Sequence, residues 1–250
     1  RDFCLSRGLG DVYKRQLKCF IEMKKIFYYI LMGAFLLGTA TSCEDSVKDL
    51  SKVTYFAELN LKGDDFVKLS LGETYTEPGY EATENGEDIS EKVKVTGSVD
   101  SSTPGFYNLV YSVANVDGFS VTKTRQVMVV NPDSFASAYQ GESQAGTRHY
   151  TGAPILITEN EDGTYLIDDL LGGLQFYGMN PGFEPMYDFH AEAKLKLNAD
   201  NTLTLIKVGN WYFASELALS LTEGKYNPET GVVTMTVDYG GTPLSVTLTK

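Results

Sequence analysis

Apolar and polar side chains alternate from Val53 to the end of this chain. A period of two is that of a strand with one buried face, and no long stretch has the 3.6-residue period of an amphipathic helix. Pairs such as Asp117-Gly118 and Asp162-Gly163 separate the alternating runs, and glycine accepts the positive φ that a hairpin turn requires. The sequence therefore predicts an all-β protein of short strands and tight turns.

A basic and then apolar segment precedes the third cysteine. Lys24 and Lys25 are followed by a 13-residue apolar run (26–38), which is shorter than the about 20 residues that a membrane-spanning helix needs. The next residues, Ala40-Thr41-Ser42-Cys43, resemble the lipobox of bacterial lipoproteins. The resemblance implies a signal peptide at 23–42, cleavage before Cys43 and acylation of Cys43, which would anchor the chain in a membrane.

The segments on either side of this signal have separate interpretations. Residues 1–22 resemble translated sequencing-adapter sequence, so we expect Met23 to be the true start and exclude 1–22 from fold prediction. Residues 43–52 are polar and are predicted to be a tether. Glu44 and Asp45 directly after the cysteine resemble the surface-export signal of Bacteroidetes lipoproteins, whereas in enteric bacteria they would imply retention in the inner membrane. We expect the outer membrane, with the protein facing the cell exterior.

The charge limits the classes of partner that the chain can bind, and the cysteine content limits its cross-links. Of 21 Lys and Arg, seven precede Cys43, and of 33 Asp and Glu, three do, so the chain from Cys43 onward has a formal net charge of −16. Such a chain is repelled by nucleic acid, which is not expected as a partner. The other cysteines are Cys4 and Cys19. The mature chain is therefore predicted to have no disulfide and to depend on packed cores alone.

Three short motifs lie between residues 72 and 129. Residues 72–82 read G-x-x-Y-x-x-P-G-x-x-A, residues 105–111 read G-x-Y-x-L-x-Y, and residues 125–129 read R-x-V-x-V. Together they resemble a bacterial immunoglobulin-like module that covers about 53–131. The resemblance implies a seven-strand β-sandwich that acts as a spacer or an interaction surface.

A second β-rich region follows Asn131-Pro132-Asp133-Ser134, which is predicted to be the boundary. Many short runs between 135 and 250, including 141–149 and 173–176, predict an antiparallel barrel or sandwich. Residues 139–141, 146–148, 162–173 and 226–231 resemble the C-terminal domain of uncharacterised Bacteroidetes lipoproteins with the same immunoglobulin-like module. That resemblance implies a barrel-like domain and a location, but no activity.

Six aromatic residues in this second region are candidates for ligand binding. They lie in a loop rich in glycine and proline (172–187) and in a short segment after Gly209-Asn210, and they are Phe176, Tyr177, Phe183, Tyr187, Trp211 and Tyr212. Aromatic faces on a rigid loop can stack on sugar rings. The competing interpretation is that these rings plug the end of the barrel or belong to its core.

No motif predicts catalysis, a metal or a cofactor. His149 and His190 are the only histidines, they are not closely spaced, and no G-x-S-x-G, H-E-x-x-H or P-loop sequence occurs. The protein is therefore not expected to be an enzyme.

Three functions stay open from the sequence. The first is a surface lipoprotein that binds glycan as an accessory of polysaccharide capture. The second is a structural scaffold that binds an outer-membrane protein. The third is a lipocalin-like carrier with a hollow interior lined by Leu195, Leu205 and Leu219.

Overall fold

The computed structural model describes residues 53–183 and 186–250. The predicted adapter segment (1–22), the signal peptide (23–42), Cys43 and the tether through residue 52 lie outside the described residues. The chain divides into two compact units, Arg1–Thr54 and Tyr55–Lys250, and the description below concerns the second. Among the described residues, no helix is long and apolar enough to cross a membrane.

The first half of the second unit is a two-sheet sandwich of seven strands. One sheet has the order β1-β3-β4 and the other has the order β2-β7-β6-β5, in which β2 and β7 are parallel and the other pairs are antiparallel. The immunoglobulin-like sandwich predicted from the sequence is confirmed. The strands are β1 (Ala57–Leu61), β2 (Phe66–Ser70), β3 (Tyr80–Glu84), β4 (Glu87–Asp88), β5 (Lys94–Thr96), β6 (Gly105–Ala114) and β7 (Ser120–Val130).

The alternation in β6 and β7 produces the core between the two sheets. Leu109, Tyr111 and Val113 point inward from β6, and Val127 and Val129 point inward from β7, all of them buried. Their neighbours along each strand face the other side of the sheet, as a period of two requires: Asn108 and Gln126 are polar, whereas Met128 and Val130 are buried elsewhere.

A buried ion pair joins the separate motifs of the sandwich. The Arg125 guanidinium is fully buried and bonds the Glu77 carboxylate, whose side chain is about one-third exposed. Nε of Arg125 also donates to the Asp64 carbonyl (3.0 Å), and a terminal nitrogen donates to the Lys62 carbonyl. A buried guanidinium is tolerated only where such partners satisfy it.

The Glu77 carboxylate is satisfied from the other side by two tyrosines. Tyr75 donates to it (2.7 Å), Tyr111 donates to the same oxygen, and the Gly79 N–H donates to the other oxygen (2.9 Å). Burial alone would raise the pKa of Glu77, but these hydrogen bonds and Arg125 lower the pKa below the ordinary value of 4.5. Burial and the bond to Glu77 raise the pKa of the Tyr111 hydroxyl. The motif residues thus meet in one polar cluster.

The second half is an eight-stranded antiparallel sheet that nearly closes into a barrel, as predicted. Its order is β12-β11-β10-β9-β8-β15-β14-β13. The strands are β8 (Ser137–Ala145), β9 (Arg148–Glu159), β10 (Tyr165–Ile167), β11 (Ala193–Leu197), β12 (Leu203–Val208), β13 (Leu219–Asn227), β14 (Val232–Tyr239) and β15 (Thr242–Thr249).

The two edge strands meet at one point. Thr202 pairs with Lys225, and the Tyr226 N–H donates to the Asn201 carbonyl (2.9 Å). Gly224 makes this approach possible, because a Cβ there would lie 2.8 Å from the Leu203 Cβ.

The barrel interior is filled by the chain segment that follows β10. Leu170, Leu171 and Leu174 are almost fully buried and pack in one cluster with inward residues of the barrel wall, such as Leu195 and Val246. These leucines occupy the space in which a lipocalin-like carrier would hold its ligand.

Two strand predictions in this region are wrong. The run 141–149 is interrupted by a hairpin turn, since Gly146 (φ 59°) reverses the chain between β8 and β9. The run 173–176 lies in a π-helical turn, Leu174–Met179, where the Gly178 N–H donates to the Gly173 carbonyl (3.1 Å). Here the pattern misleads because a segment buried on all sides is apolar without being a strand.

The sandwich and the barrel pack directly against each other. Met128, Val130 and Ala138 form a buried apolar cluster at the junction. Nζ of Lys250 donates to the carbonyls of Ser134 (2.8 Å) and Pro132 (3.2 Å). The polar segment predicted as a boundary is therefore held by the barrel.

We expect Arg125→Ala to destabilise the sandwich by about 3 kcal/mol, because it leaves the Glu77 carboxylate and two carbonyls without their cation. Lys123→Ala, at an exposed position of the same strand, should change the free energy of unfolding by less than about 0.5 kcal/mol. Urea unfolding of both variants measures the difference. Equal stabilities would show that the ion pair contributes nothing.

The same cluster should make stability depend on acid. Because folding lowers the pKa of Glu77, its contribution is complete above the ordinary value of 4.5 and is lost as the pH falls through the lower folded value. The stability difference between the wild type and Glu77→Gln should therefore be largest near pH 7 and shrink below pH 4.5. Urea titrations at several pH values measure it, and a constant difference would contradict the assignment.

Candidate functional site

Four chain connections meet at one end of the barrel. The β8–β9 turn, the segment from β10 to β11, the segment from β12 to β13 and the β14–β15 turn all leave the sheet on the same side, as the pairings Ala145–Arg148, Ala193–Val208 and Leu219–Tyr239 show. The sandwich joins the opposite end, where β8 begins and β15 ends. Two of these connections are long enough to build a surface.

An exposed cluster of aromatic side chains lies on these two long connections, and we call it the aromatic patch. Its outer members are Phe183 (48% exposed), Tyr187 and Tyr212 (54% exposed). The Tyr187 and Tyr212 rings meet edge to face at 5.6 Å, and Phe183 lies 6.3 Å from Tyr187. Met186 is exposed beside them in the sequence. Rings from two separate chain segments therefore form one continuous apolar surface.

A second layer of rings supports the patch from below. Phe189 is buried and contacts all three outer rings, at centroid distances of 5.1 to 6.0 Å. It stacks on Phe213 at 5.7 Å, and Phe213 meets Trp211 edge to face at 5.3 Å. Such packing restricts the rotamers of the outer rings, so the surface is largely formed before any ligand arrives.

Hydrogen bonds hold the 209–218 segment in place. Nε1 of Trp211, whose side chain is only 7% exposed, donates to the Leu217 carbonyl (3.0 Å) and closes the loop on itself. The Glu192 carbonyl accepts from the Gly209 N–H (2.6 Å), and the Glu192 N–H donates to the Asn210 carbonyl (3.2 Å). The two segments that carry the patch are thus fixed to each other.

The Asp169 carboxylate holds the base of the first segment. It accepts the N–H groups of Leu171 (3.0 Å), Gly173 (2.8 Å) and Ala191 (3.1 Å) and is completely buried. Burial raises the pKa of Asp169, and these three donors oppose the rise. Gly173 is required in this arrangement, because a Cβ there would lie 2.2 Å from the Ala153 Cβ.

A separate group of rings lies on the π-helical turn. Phe176 is buried and stacks on His190 at 4.1 Å, and Tyr177 is half-buried and stacks on Tyr150 at 6.0 Å. Nδ1 of His190 lies 2.6 Å from the exposed Asp188 carboxylate. This group fixes the wall of the barrel end and leaves a polar pair, Asp188 and His190, next to the patch in sequence.

The structure therefore divides the six predicted residues. Phe183, Tyr187 and Tyr212 come together at the surface, Trp211 is a buried support of the patch, and Phe176 and Tyr177 belong to the separate group on the π-helical turn. Sequence reasoning missed Phe189 and Phe213. Their only signal is that Phe213 adjoins the predicted Tyr212 and that Phe189 lies two residues after the end of the predicted loop.

The two segments that carry the patch have charges of one sign. Among the described residues of 168–192 and 209–218 there is no Lys or Arg, while Asp188 and Glu216 are exposed. No group of three or more His, Cys, Asp or Glu positioned to hold a metal occurs among the described residues. Two open grooves on the outer face of β13–β15 are lined mainly by threonines and polar residues and include no residue of the patch.

The chain is similar to known domain families and to solved protein structures. A model for the immunoglobulin-like domain of bacterial surface proteins matches residues 59–129, and a model for a C-terminal domain matches residues 130–250. The crystal structure of the lipoprotein BT2262 from Bacteroides thetaiotaomicron is 35% identical, with a TM-score of 0.56, and the match covers 78% of this chain and 100% of that one. The chain belongs to the family of this Bacteroides lipoprotein. The recognition of a Bacteroidetes lipoprotein with an immunoglobulin-like domain is thereby confirmed.

Two further structures come from Clostridium perfringens ZmpB. One contains CBM51-2 in complex with GlcNAc together with INT domains (12% identity, TM-score 0.25, 77% of this chain and 44% of that one). The other contains the M60 catalytic domain with CBM51-1 and CBM51-2 (12% identity, TM-score 0.27, 80% and 21%). These scores are too low to bear on the fold or the function of this chain. No curated protein matches it.

We expect Asp169→Asn to destabilise the barrel by about 1–3 kcal/mol. The two carboxylate oxygens share the three N–H donors, and an amide nitrogen in place of one oxygen cannot accept a hydrogen bond. Amide hydrogen exchange should also speed up in residues 170–191. The adjacent Asp168→Asn is the matched control, since the Asp168 side chain accepts the Leu156 N–H (3.0 Å), which an amide oxygen can still do. Equal exchange in the two variants would refute the anchoring role.

Proposed function

We propose that this lipoprotein binds glycan through the aromatic patch, as an accessory of polysaccharide capture at the outer-membrane surface. The observation that carries the proposal is the exposure of Phe183, Tyr187 and Tyr212 over a second, buried layer of rings. Large aromatic side chains are costly to leave in water, and a contiguous exposed set is typical of an interaction surface. The protein is proposed to act by binding and not by catalysis.

The chemistry of the patch suits carbohydrate. Sugar rings present C–H faces that can pack on aromatic faces, and a Phe or Tyr ring offers a large apolar area for such a contact. Asp188 and the exposed Asn210 lie beside the patch in sequence and can accept or donate hydrogen bonds to hydroxyl groups. Apolar faces with a few polar groups at the rim are the usual composition of such a site.

The arrangement of the second unit is consistent with display of the patch. The patch lies at the end of the barrel opposite the sandwich, and the sandwich lies between the barrel and the N-terminal segment along the chain. We propose that residues 23–42 are a signal peptide, that acylated Cys43 and the tether at 43–52 hold the chain to the outer membrane, and that the module at 53–131 spaces the domain at 135–250 away from it.

The charge favours one class of glycan. The exposed Asp188 and Glu216, with no Lys or Arg among the described residues of the two site segments, repel anionic ligands. Neutral polysaccharides are therefore favoured over uronate-rich or sulfated ones.

Removal of an outer ring should weaken binding. On a panel of neutral and anionic polysaccharides, we expect Tyr212→Ala and Tyr187→Ala each to lower affinity about tenfold for the glycan that the wild type binds, because each removes a stacking face. Isothermal titration calorimetry measures the affinity. The matched control is Phe119→Ala, which removes an equally exposed ring (55%) from the sandwich and should leave affinity unchanged.

Two outcomes would count against the proposal. The first is that the wild type binds nothing across the panel. The second is that binding is lost equally in Phe119→Ala, which would place the ligand on the sandwich. Capture of an outer-membrane protein that depends on Tyr212 would favour the scaffold alternative.

A further inference from the structure

A second exposed apolar surface lies on the sandwich, and the glycan proposal does not use it. Phe56 (67% exposed), Phe119 and Val116 (75% exposed) are among its members, together with Tyr55. The rings of Phe56 and Phe119 meet at 5.6 Å. We call these four residues the entry patch, because Tyr55 is the first residue of the second compact unit.

Hydrogen bonds fix the backbone that carries the entry patch. Nδ2 of Asn115 donates to the Tyr55 carbonyl (2.7 Å), and Oδ1 of Asn115 accepts the Phe119 N–H (2.7 Å). The buried Glu84 carboxylate accepts the Val116 N–H (3.1 Å). Nothing in this framework buries the apolar side chains that it presents, so the framework displays them to solvent.

The position of the entry patch within the sandwich is informative. It surrounds the β6–β7 turn, whereas the barrel packs near the other ends of these strands, at Phe106 and Met128. Eight or more residues of strand separate the two, which corresponds to about 27 Å or more. The patch is thus on the part of the sandwich that is remote from the barrel and next to the point where the chain enters.

The length of chain between Cys43 and the entry patch favours the lipid bilayer as the partner of the patch. Eleven residues lie between Cys43 and Tyr55, so an acyl anchor on Cys43 would keep Tyr55 within about 40 Å of the bilayer surface. Aromatic side chains such as Tyr and Phe, with a small apolar residue beside them, suit the boundary between lipid headgroups and acyl chains. The turn also carries Asp117, and the mature chain is strongly acidic, so zwitterionic lipid is favoured over anionic lipid.

We propose that the entry patch is a membrane-contact surface, which inserts its aromatic side chains into the headgroup region of the bilayer that holds the lipid anchor. This inference rests on the acylation of Cys43 in the proposed function and is independent of glycan binding. Insertion would orient the sandwich on the membrane and direct the opposite end of the barrel, with its aromatic patch, away from it.

The single tryptophan of the chain offers a test. Trp211 lies in the barrel-end segment, so it reports on that end, and Phe119→Trp adds a reporter to the entry patch. The protein from Cys43 onward, whose only cysteine is Cys43, is coupled through that thiol to maleimide lipid in phosphatidylcholine vesicles that contain brominated acyl chains. Coupling by this route does not depend on natural acylation or on any glycan, so its result is separable from the proposed function.

We expect tryptophan emission in Phe119→Trp to be quenched about threefold more strongly than in the wild type, because bromine quenches only a ring that reaches the bilayer. Ile206→Trp is the matched control, since Ile206 is exposed on β12 of the barrel and should behave like the wild type. A second variant, Phe119→Trp with Phe56→Glu, should lose most of the extra quenching.

Equal quenching in Phe119→Trp, Ile206→Trp and the wild type would overturn the proposal. So would a shift of the uncoupled protein to dimers in sedimentation that Phe119→Glu abolishes, because a second copy would then be the occupant. Protection of the Phe119→Trp emission from aqueous quencher without any bromine effect would identify the preceding segment of the chain as the cover, and would also overturn it. Circular dichroism of each variant establishes that the fold is retained.

Discussion

Both the barrel core and the candidate site depend on the hydrogen bonds that the buried Asp169 carboxylate accepts from the backbone. Its three backbone N–H bonds hold the chain where it turns from β10 into the barrel interior. On one side of this point, Leu170, Leu171 and Leu174 fill the core. On the other, the bond to Ala191 fixes the return of the segment that carries Phe189. A single buried acid thus joins the filling of the barrel to the position of the patch.

Filling the barrel from its own sequence has a functional consequence. A barrel of eight strands is just wide enough for side chains or one small ligand, and here the chain itself occupies that space. Under the proposed function, binding therefore takes place on the outside of the barrel, where the long segments at its end carry exposed rings. The rings at the surface are ordered by those beneath them, as the stacking of Phe189 on Phe213 shows.

Much of the sandwich could be predicted from the sequence because its signals are local. The alternation in β6 and β7 and the turn at 117–118 specify strands and a hairpin without reference to the rest of the chain. The motif residues Tyr75, Tyr111 and Arg125 were recognisable as a pattern, but their partner Glu77 was not. That they are one polar cluster was not, since residues 48 positions apart in sequence meet only after the sheets have packed.

The candidate site was predictable only in part, for the same physical reason. Spacing shows that a segment is rich in aromatic side chains, but an exposed ring and a buried one look alike in sequence. Trp211 was one of the candidate rings and is a buried support, whereas Phe189 was not a candidate and is the centre of the cluster. Exposure depends on which side chains arrive from distant segments.

The sequence by itself determined the all-β class, the turns, the absence of any cysteine after position 43 and the resemblance to a surface lipoprotein. These properties follow from the period of the side chains, from single residues such as glycine and from short motifs, all of which are local. Tertiary structure alone decided that the barrel is filled, that rings from two segments form one surface and that a second apolar surface adjoins the chain entry. Each of these depends on contacts between residues far apart in the chain, which form only when the sheets close.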